Sequence, residues 1–83
     1  MSYFVYVLQS EKDGSYYVGH TNNLSERLQR HNEGRSPYTK GRLPWKSIYQ
    51  EAFDSRTEAM KREAEIKGMK DRRYLTNLVR TSR

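Results

Sequence analysis

Hydrophobic and aromatic side chains are concentrated in two short stretches near the start of the chain. Tyr3–Leu8 reads YFVYVL and Ser15–His20 reads SYYVGH, and the KDGS sequence between them is typical of a turn. Runs of β-branched and aromatic residues that are bounded by turn residues favour strands. The pattern therefore predicts a β-hairpin.

The register of this hairpin decides which side chains share a face of the sheet. If the two residue numbers of each pair sum to 23, Tyr6 lies opposite Tyr17 and Phe4 lies opposite Gly19. Cross-strand partners point to the same face, so we expect the two tyrosine rings side by side. A slip of one residue would put them on opposite faces.

After residue 22 the apolar positions take a helical spacing. Asn23 is followed three residues later by Glu26, which is a capping-box-like pair. Leu24 and Leu28 form an apolar seam, and Gly34 is a stop signal. A first helix is therefore predicted from Asn23 to Gly34.

The second half of the chain repeats this alternation. Residues 35–44 hold both prolines and predict a loop, and the large apolar residues of Trp45–Phe53 predict a third strand. A second helix is expected to start at Ser55, with Glu58 at its third position, and to end at Gly68.

A last helix is predicted over about residues 71–80. Its apolar side chains should form a packing edge, and they are Tyr74, Leu75, Leu78 and Val79. The element order is then β-β-α-β-α-α. We predict an α+β fold, a three-stranded antiparallel sheet flanked by helices, as one domain over residues 1–83.

The charge of the chain is positive and unevenly placed. Its formal net charge is +6, and ten of the sixteen basic residues are arginines. Residues 1–26 carry a net charge of −2 (one basic, three acidic), and residues 27–83 carry +8 (15 basic, seven acidic). Guanidinium groups suit phosphate oxygens, and the seven tyrosines offer surfaces for base stacking. We expect a polyanionic partner, most simply nucleic acid, although a domain that is merely basic is the alternative.

Composition also excludes several classes of protein. The chain has no cysteine, which rules out disulfides and thiolate metal sites. The longest apolar run, Tyr3–Leu8, is far shorter than the roughly 20 residues of a membrane span. No secretory signal is expected. These features predict a cytoplasmic protein without a membrane partner.

Glu63 is the most informative carboxylate. Its neighbours three and four positions away on a helix are Ala59, Met60, Ile66 and Lys67. Three of these four are apolar, so Glu63 is predicted to point along the buried face. An inward carboxylate needs a cation or a donor. The partner could be an arginine in a structural ion pair, which is the commoner case, or a divalent metal.

Arg27 and His31 are four residues apart and flank the apolar seam of the first helix. Each could belong to an ordinary solvated helix edge, and tyrosine is a common strand residue. Two phenols (Tyr6 and Tyr17), a guanidinium, an imidazole and Glu63 together nevertheless suit a phosphodiesterase. That reaction needs a group that takes a proton from water and a cation that neutralises charge on the phosphate.

These residues also resemble a known family. Phe4–Tyr6 and Tyr17–Gly19, on one hairpin, resemble the two signature triplets of the GIY-YIG nuclease superfamily. The helix that carries Arg27 and His31, and the later Arg62–Ala64 segment around Glu63, are also similar to it. The likeness covers nearly the whole chain and is greatest to small stand-alone bacterial members.

The resemblance implies roles for four of these side chains. Tyr17, or Tyr6 with it, would position or deprotonate the attacking water. Arg27 would hold the scissile phosphate and stabilise its charge. His31 would sit beside the phosphate as a hydrogen-bonding or proton-transfer group.

The resemblance further implies that Glu63 binds a single Mg²⁺ or Mn²⁺ and that Gly19 leaves room under the phosphate. Mg²⁺ keeps several waters and can be held by one carboxylate plus substrate oxygens. The chain departs from the family pattern in that Phe4 replaces the glycine of the first triplet, while Val5 and Val18 replace isoleucines.

The leading prediction is a metal-dependent DNA endonuclease that cleaves phosphodiesters by direct attack of water. The expected phosphate contacts are His20, Arg35, Lys40, Arg42, Lys67, Arg72 and Arg73. The expected substrate is branched, nicked or otherwise non-specific duplex DNA, and a targeting protein is a further candidate partner. Two alternatives stay open: a nucleic-acid-binding module of the same fold that is inactive or needs a partner, and an interaction domain for an acidic protein. Oligomeric state is not predicted.

Overall fold

The computed structural model describes residues 2–34, 39–69 and 72–81. Its elements, in chain order, are β1 (Tyr3–Ser10), β2 (Tyr16–Thr21), α1 (Leu24–Asn32), a short 3-10 helix (Lys40–Arg42), β3 (Trp45–Phe53), α2 (Arg56–Met69) and α3 (Arg72–Thr81). The predicted α+β class and the order β-β-α-β-α-α are confirmed. The 3-10 turn is an addition within the predicted loop.

The three strands form one antiparallel sheet in the order β2-β1-β3, so β1 is central. The predicted register of the hairpin is wrong by two residues. Tyr6 pairs with Gly19, and Tyr17 pairs with Leu8. Because side chains alternate with a period of two, a shift of two keeps both tyrosines on the same face. They are diagonal neighbours instead of direct partners.

The turn explains the shift. β1 continues through Gln9 to Ser10, whose backbone N–H donates to the carbonyl of Ser15 at 2.8 Å. The turn then occupies the four residues between them, and Gly14 adopts a φ of 77°, which favours glycine. The KDGS sequence correctly predicted the position of the turn, but it did not predict which residues form the last pair of the hairpin.

Each face of the sheet has its own hydrophobic core. On one face, α2 and α3 cover a cluster whose buried members are Val5, Val7, Val18, Ala59 and Ile66. On the other face, α1 covers a cluster of Tyr6, Leu8 and Trp45, against which Tyr17, Leu24, Leu28 and Leu43 pack. The adjacent Tyr16 and Tyr17 therefore point to opposite faces, as alternation requires.

The helix signals are largely confirmed. The Asn23 side chain accepts a hydrogen bond from the backbone N–H of Glu26, and Ser55 does the same for Glu58, both at 3.2 Å. Gly34 has a φ of 75° just beyond α1. The predicted stop at Gly68 is wrong, since α2 runs on to Met69. A glycine costs a helix only about 1 kcal/mol, which packing of the rest of α2 can offset.

The last helix packs through the residues that the sequence indicated. Tyr74, Leu75 and Leu78 contact the core on the α2 face. The side chain of Val79 lies outside the described residues. No helix in the described part of the chain is long and apolar enough to cross a bilayer.

Candidate active site

Tyr6, Tyr17 and His31 form an aromatic cluster between the sheet and α1. The ring centroids of Tyr6 and Tyr17 are 6.3 Å apart, and the Tyr17 ring meets the His31 ring edge-on at 4.9 Å. Tyr6 and His31 are only 1% and 2% exposed, whereas Tyr17 is half-buried. Tyr17 is therefore the phenol of this cluster that reaches the surface.

A chain of hydrogen bonds runs inward from this cluster. The Tyr6 hydroxyl lies 3.3 Å from His31 Nε2, and His31 Nδ1 lies 2.8 Å from Thr39 Oγ1. Thr39 is fully buried, and its carbonyl accepts a 2.9 Å bond from the indole N–H of Trp45. The sequence prediction missed Thr39, because nothing in a loop sequence shows that one residue turns into the core.

Burial sets the protonation of this cluster. It raises the pKa of Tyr6 far above its ordinary value. The charges of Tyr17 and Glu63 also raise this pKa, whereas Arg27 lowers it. Burial also lowers the pKa of His31, and repulsion from nearby arginines adds to the effect. Both side chains are therefore neutral at neutral pH. The sequence predicts that His31 lies beside the phosphate, but its ring is buried. It contacts Tyr6 and the half-buried Tyr17 instead of the surface.

The space that Gly19 leaves is taken up by the Tyr6 phenol. A Cβ atom on Gly19 would lie 2.5 Å from the Tyr6 hydroxyl oxygen and 2.8 Å from its Cζ atom. The nearest atom of Tyr17 would be 3.2 Å away. In this structure the absence of a side chain at position 19 thus serves the placement of Tyr6, which the sequence interpretation did not include.

Glu63 points inward from α2 on the other face of the sheet. Its side chain is 17% exposed, and one carboxylate oxygen meets the Nδ1 atom of His20. The other oxygen forms a 2.7 Å ion pair with Lys67 Nζ. The buried neighbours Ala59 and Ile66 are as predicted, whereas Met60 is 50% exposed.

The predicted alternatives for the Glu63 partner were an arginine or a metal. The described side chains that contact it are instead a lysine and a histidine. Partial burial raises the pKa of Glu63, but hydrogen bonds and charge from Lys67 and His20 outweigh burial and lower it overall. Glu63 is therefore an ionised carboxylate at neutral pH.

A polar hollow lies at the end of β2, between these two sets of residues. It has a volume of about 260 Å³, and its lining residues are Tyr3, His20, Thr21, Asn22, Arg27 and Arg56. Among the described carboxylates, none forms an ion pair with Arg27 or Arg56. Two arginines without a described carboxylate partner therefore line the polar hollow.

Strand pairing brings these residues together. Tyr3 pairs with Phe53, and Phe4 pairs with Thr21. The end of β2, the start of β1 and the end of β3 therefore lie at the same end of the sheet. Arg56 is the first residue of α2, which begins shortly after β3 ends. The sequence prediction missed Arg56, because only the strand order places the start of α2 beside the end of β2.

The other predicted phosphate contacts are spread more widely. The Lys40–Arg42 turn packs on the hairpin loop, where Arg42 forms a 3.5 Å ion pair with Asp13 and the Lys12 ammonium donates to the carbonyl of Gly41. That is the far end of β1 from the polar hollow, about 24 Å away along an eight-residue strand. Arg73 is exposed on α3. Arg35 and the side chain of Arg72 lie outside the described residues.

Glu63 can be tested as a metal ligand from its own chemistry. It is ionised and has an exposed edge, which suits a hard cation that prefers oxygen. In residues 2–34, 39–69 and 72–81 no cluster of three or more acidic or histidine side chains surrounds it. This donor set thus fits one cation that keeps most of its waters. Binding requires that Lys67 moves away from the Glu63 oxygen with which it forms the ion pair.

Comparison with known proteins agrees with this architecture. The family model described as the GIY-YIG catalytic domain matches residues 2–75. A UPF0213 protein of Streptococcus pneumoniae is 47% identical over 68 residues, which are 81% of this chain and 68% of that protein. A UPF0213 protein of Staphylococcus saprophyticus is 44% identical over 66 residues, 78% of this chain and 79% of that protein.

A solved structure is similar as well. The solution NMR structure of a UPF0213 protein from Bacillus halodurans has 38% sequence identity and a TM-score of 0.61, and the match covers 98% of this chain and 85% of that one. The chain therefore belongs to the GIY-YIG family of endonuclease domains. Within that family, the chain is similar to UPF0213 proteins.

Proposed function

We propose that this protein is a metal-dependent DNA endonuclease that hydrolyses a phosphodiester bond by direct attack of water. The observation that carries the proposal is the polar hollow, in which Arg27 and Arg56 converge beside His20, the partner of Glu63. Two guanidinium groups at one concave site favour a phosphate diester. The net charge of +6 favours a polyanion that carries such groups.

Arg27 stabilises the transition state in this proposal. It lines the polar hollow and also acts on the Tyr6 hydroxyl, so it bridges the aromatic cluster and the phosphate position. A cation held at this place neutralises the charge that builds on the phosphate oxygens as water attacks. Arg56 binds the same phosphate or the one next to it.

Tyr17 is the residue we assign to the attacking water. It is half-buried and packs against Tyr6 and His31, whereas Tyr6 is 1% exposed and its hydroxyl already contacts His31. A general base must come within hydrogen-bond reach of the water. The reaction breaks the bond from phosphorus to the leaving sugar oxygen, which takes up a proton.

Glu63 would hold one Mg²⁺ or Mn²⁺. When bound, such a cation polarises the phosphate and lowers the pKa of water. Lys67 would then lose its partner on the carboxylate and become available to a DNA phosphate. His20 would keep the carboxylate oriented through the other oxygen.

The DNA substrate is proposed to be branched, nicked or otherwise non-specific duplex. The two predicted contact regions lie at opposite ends of the sheet, at the polar hollow and at the Lys40–Arg42 turn. Backbone contacts of this kind position a duplex without reading its bases. A targeting protein would supply further selectivity, and we place the reaction in the cytoplasm, where a bacterial cell keeps its DNA.

The test is nicking of supercoiled plasmid and of nicked or branched synthetic duplexes with Mg²⁺ or Mn²⁺. The native protein is compared with Glu63→Gln, which removes the negative charge, and with Lys61→Met as a control on the same helix. We expect cleavage by the native and control proteins and a loss of at least about 100-fold for Glu63→Gln. Cleavage that survives Glu63→Gln would refute the assignment of the metal ligand.

A second candidate function is a DNA-binding module that cleaves only with a partner. It is favoured by one observation, the occupation of both Glu63 oxygens by His20 and Lys67. Salt-dependent DNA binding without cleavage of any of these substrates would support it. The geometry of the site gives no separate support to the remaining alternative, an interaction domain for an acidic protein.

A further inference from the structure

The hydrogen-bond chain from Tyr6 to Thr39 is fully enclosed. Tyr6, His31 and Thr39 are 1%, 2% and 0% exposed. No buried polar side-chain atom in the described residues lacks a hydrogen-bond partner. The direction of each hydrogen bond is therefore set by the protein's own donors and acceptors and not by water.

The direction of the chain follows from Tyr6. A buried phenol must place its hydrogen on an acceptor. Arg27, which has N–H groups only, acts on the Tyr6 oxygen as a donor and cannot accept. The remaining partner of the hydroxyl is His31 Nε2 at 3.3 Å. The phenol can donate to Nε2 only if Nε2 carries the lone pair, which places the imidazole hydrogen on Nδ1.

Thr39 completes this assignment. Its hydroxyl oxygen lies 2.8 Å from Nδ1 and can accept the Nδ1–H bond. Thr39 is itself held by the indole N–H of Trp45, and the side chain of Asn32 makes two bonds to the backbone of Trp45, at 3.0 and 2.6 Å. The acceptor is thus anchored by the end of α1 and the start of β3.

We propose that Thr39 is a positioning residue for the active site, which fixes His31 as the Nδ1–H tautomer so that Nε2 accepts the Tyr6 hydroxyl. The bond orients the Tyr6 phenol over Gly19. The His31 ring, held from both sides, supports the edge of the Tyr17 ring at 4.9 Å. Thr39 therefore acts on the reacting groups through His31, without contacting the substrate.

The first test is spectroscopic and needs no activity. A long-range proton–nitrogen correlation spectrum of the native protein at neutral pH distinguishes a protonated ring nitrogen from a bare one. We expect a bare Nε2 and a protonated Nδ1 for His31. A spectrum that shows the hydrogen on Nε2 would overturn the proposal, whatever any variant does.

The second test compares two substitutions. Thr39→Val replaces the hydroxyl by a methyl group of similar volume, and Thr39→Ser keeps the hydroxyl. We expect Thr39→Ser to keep the Nδ1–H tautomer and Thr39→Val to shift His31 toward a mixture of tautomers. An unchanged tautomer in Thr39→Val, or a lost one in Thr39→Ser, would show that Thr39 does not fix the ring. If Thr39→Val does not fold, the native and serine spectra still decide.

The kinetic consequence rests on the proposed nuclease function. We expect Thr39→Val to lower kcat by roughly ten- to 100-fold with KM little changed, and Thr39→Ser to restore it. If the native protein does not cleave DNA, the proposed function fails but the tautomer result stands. If it cleaves and the serine variant is as slow as the valine variant, the positioning role fails.

Discussion

A Cβ atom on Gly19 would lie 2.5 Å from the hydroxyl oxygen of Tyr6, its partner across the hairpin. Both belong to the signature triplets, and the contact shows why they depend on each other. The phenol can lie flat over β2 and reach His31 only because position 19 has no side chain.

Gly19→Ala should therefore destabilise the protein. The added methyl group must displace a buried ring that is hydrogen-bonded on its far side, which costs about 1–3 kcal/mol of the free energy of unfolding. Gly68→Ala is the matched control, because a Cβ there meets nothing within 4 Å and alanine favours the helix by up to about 1 kcal/mol. Urea unfolding of the two variants should give opposite signs, and a neutral Gly19→Ala would contradict this packing.

The two tyrosines should respond differently to loss of the hydroxyl. Tyr17→Phe should lower kcat by about 100-fold or more with little change in stability, because Tyr17 is assigned to the water. Tyr6→Phe leaves His31 Nε2 without its donor and should cost about 1–3 kcal/mol of unfolding free energy. Single-turnover nicking and urea unfolding of both variants check this. A Tyr17→Phe variant that cleaves as fast as the native protein would refute the assignment.

The stability of the protein should fall as the pH falls below about 6.5, the ordinary pKa of His31. Burial lowers the pKa of His31 in the folded state, so the unfolded chain takes up a proton first. The resulting loss is at most about 1.4 kcal/mol per pH unit. His31→Gln should flatten this dependence between about pH 7 and pH 5, above the region where Glu63 contributes. Equal slopes for both proteins would argue against a neutral, enclosed His31.

Lys67→Met should tighten metal binding. Lys67 occupies one oxygen of the Glu63 carboxylate, and its removal frees that oxygen. We expect a two- to fivefold lower Kd for Mn²⁺, about the strength of a partly exposed ion pair, measured by calorimetry without DNA. Lys61→Met on the same helix is the charge control. An equal gain in both variants would mean that net charge alone is responsible.

Arg56→Ala should weaken DNA binding uniformly across sequences. One phosphate contact fewer should reduce the slope of log affinity against log salt by about 0.9. Lys61→Ala, also on α2 but not in the lining of the polar hollow, should leave the slope nearly unchanged. Fluorescence anisotropy with a short duplex at several salt concentrations gives both slopes. An unchanged slope for Arg56→Ala would exclude it from the phosphate contacts.

Local patterns were sufficient to predict the elements of this fold. Strand propensity, caps at Asn23 and Ser55, and the prolines of the loop act over a few residues and are visible in the chain itself. They also predicted that Glu63 points inward, because this follows from the period of a single helix. The Gly68 stop failed because packing outweighed a weak local preference.

The arrangement of the candidate site was decided only by tertiary structure. The pairing of Ser10 with Ser15 set the register, and the strand order placed Arg56 in the polar hollow. The contact of Glu63 with His20 joins residues 43 positions apart, and the contact of His31 with the buried Thr39 joins residues 8 positions apart. Such contacts depend on how the elements pack together, so the sequence determined which chemical groups the protein has, and packing determined which of them meet.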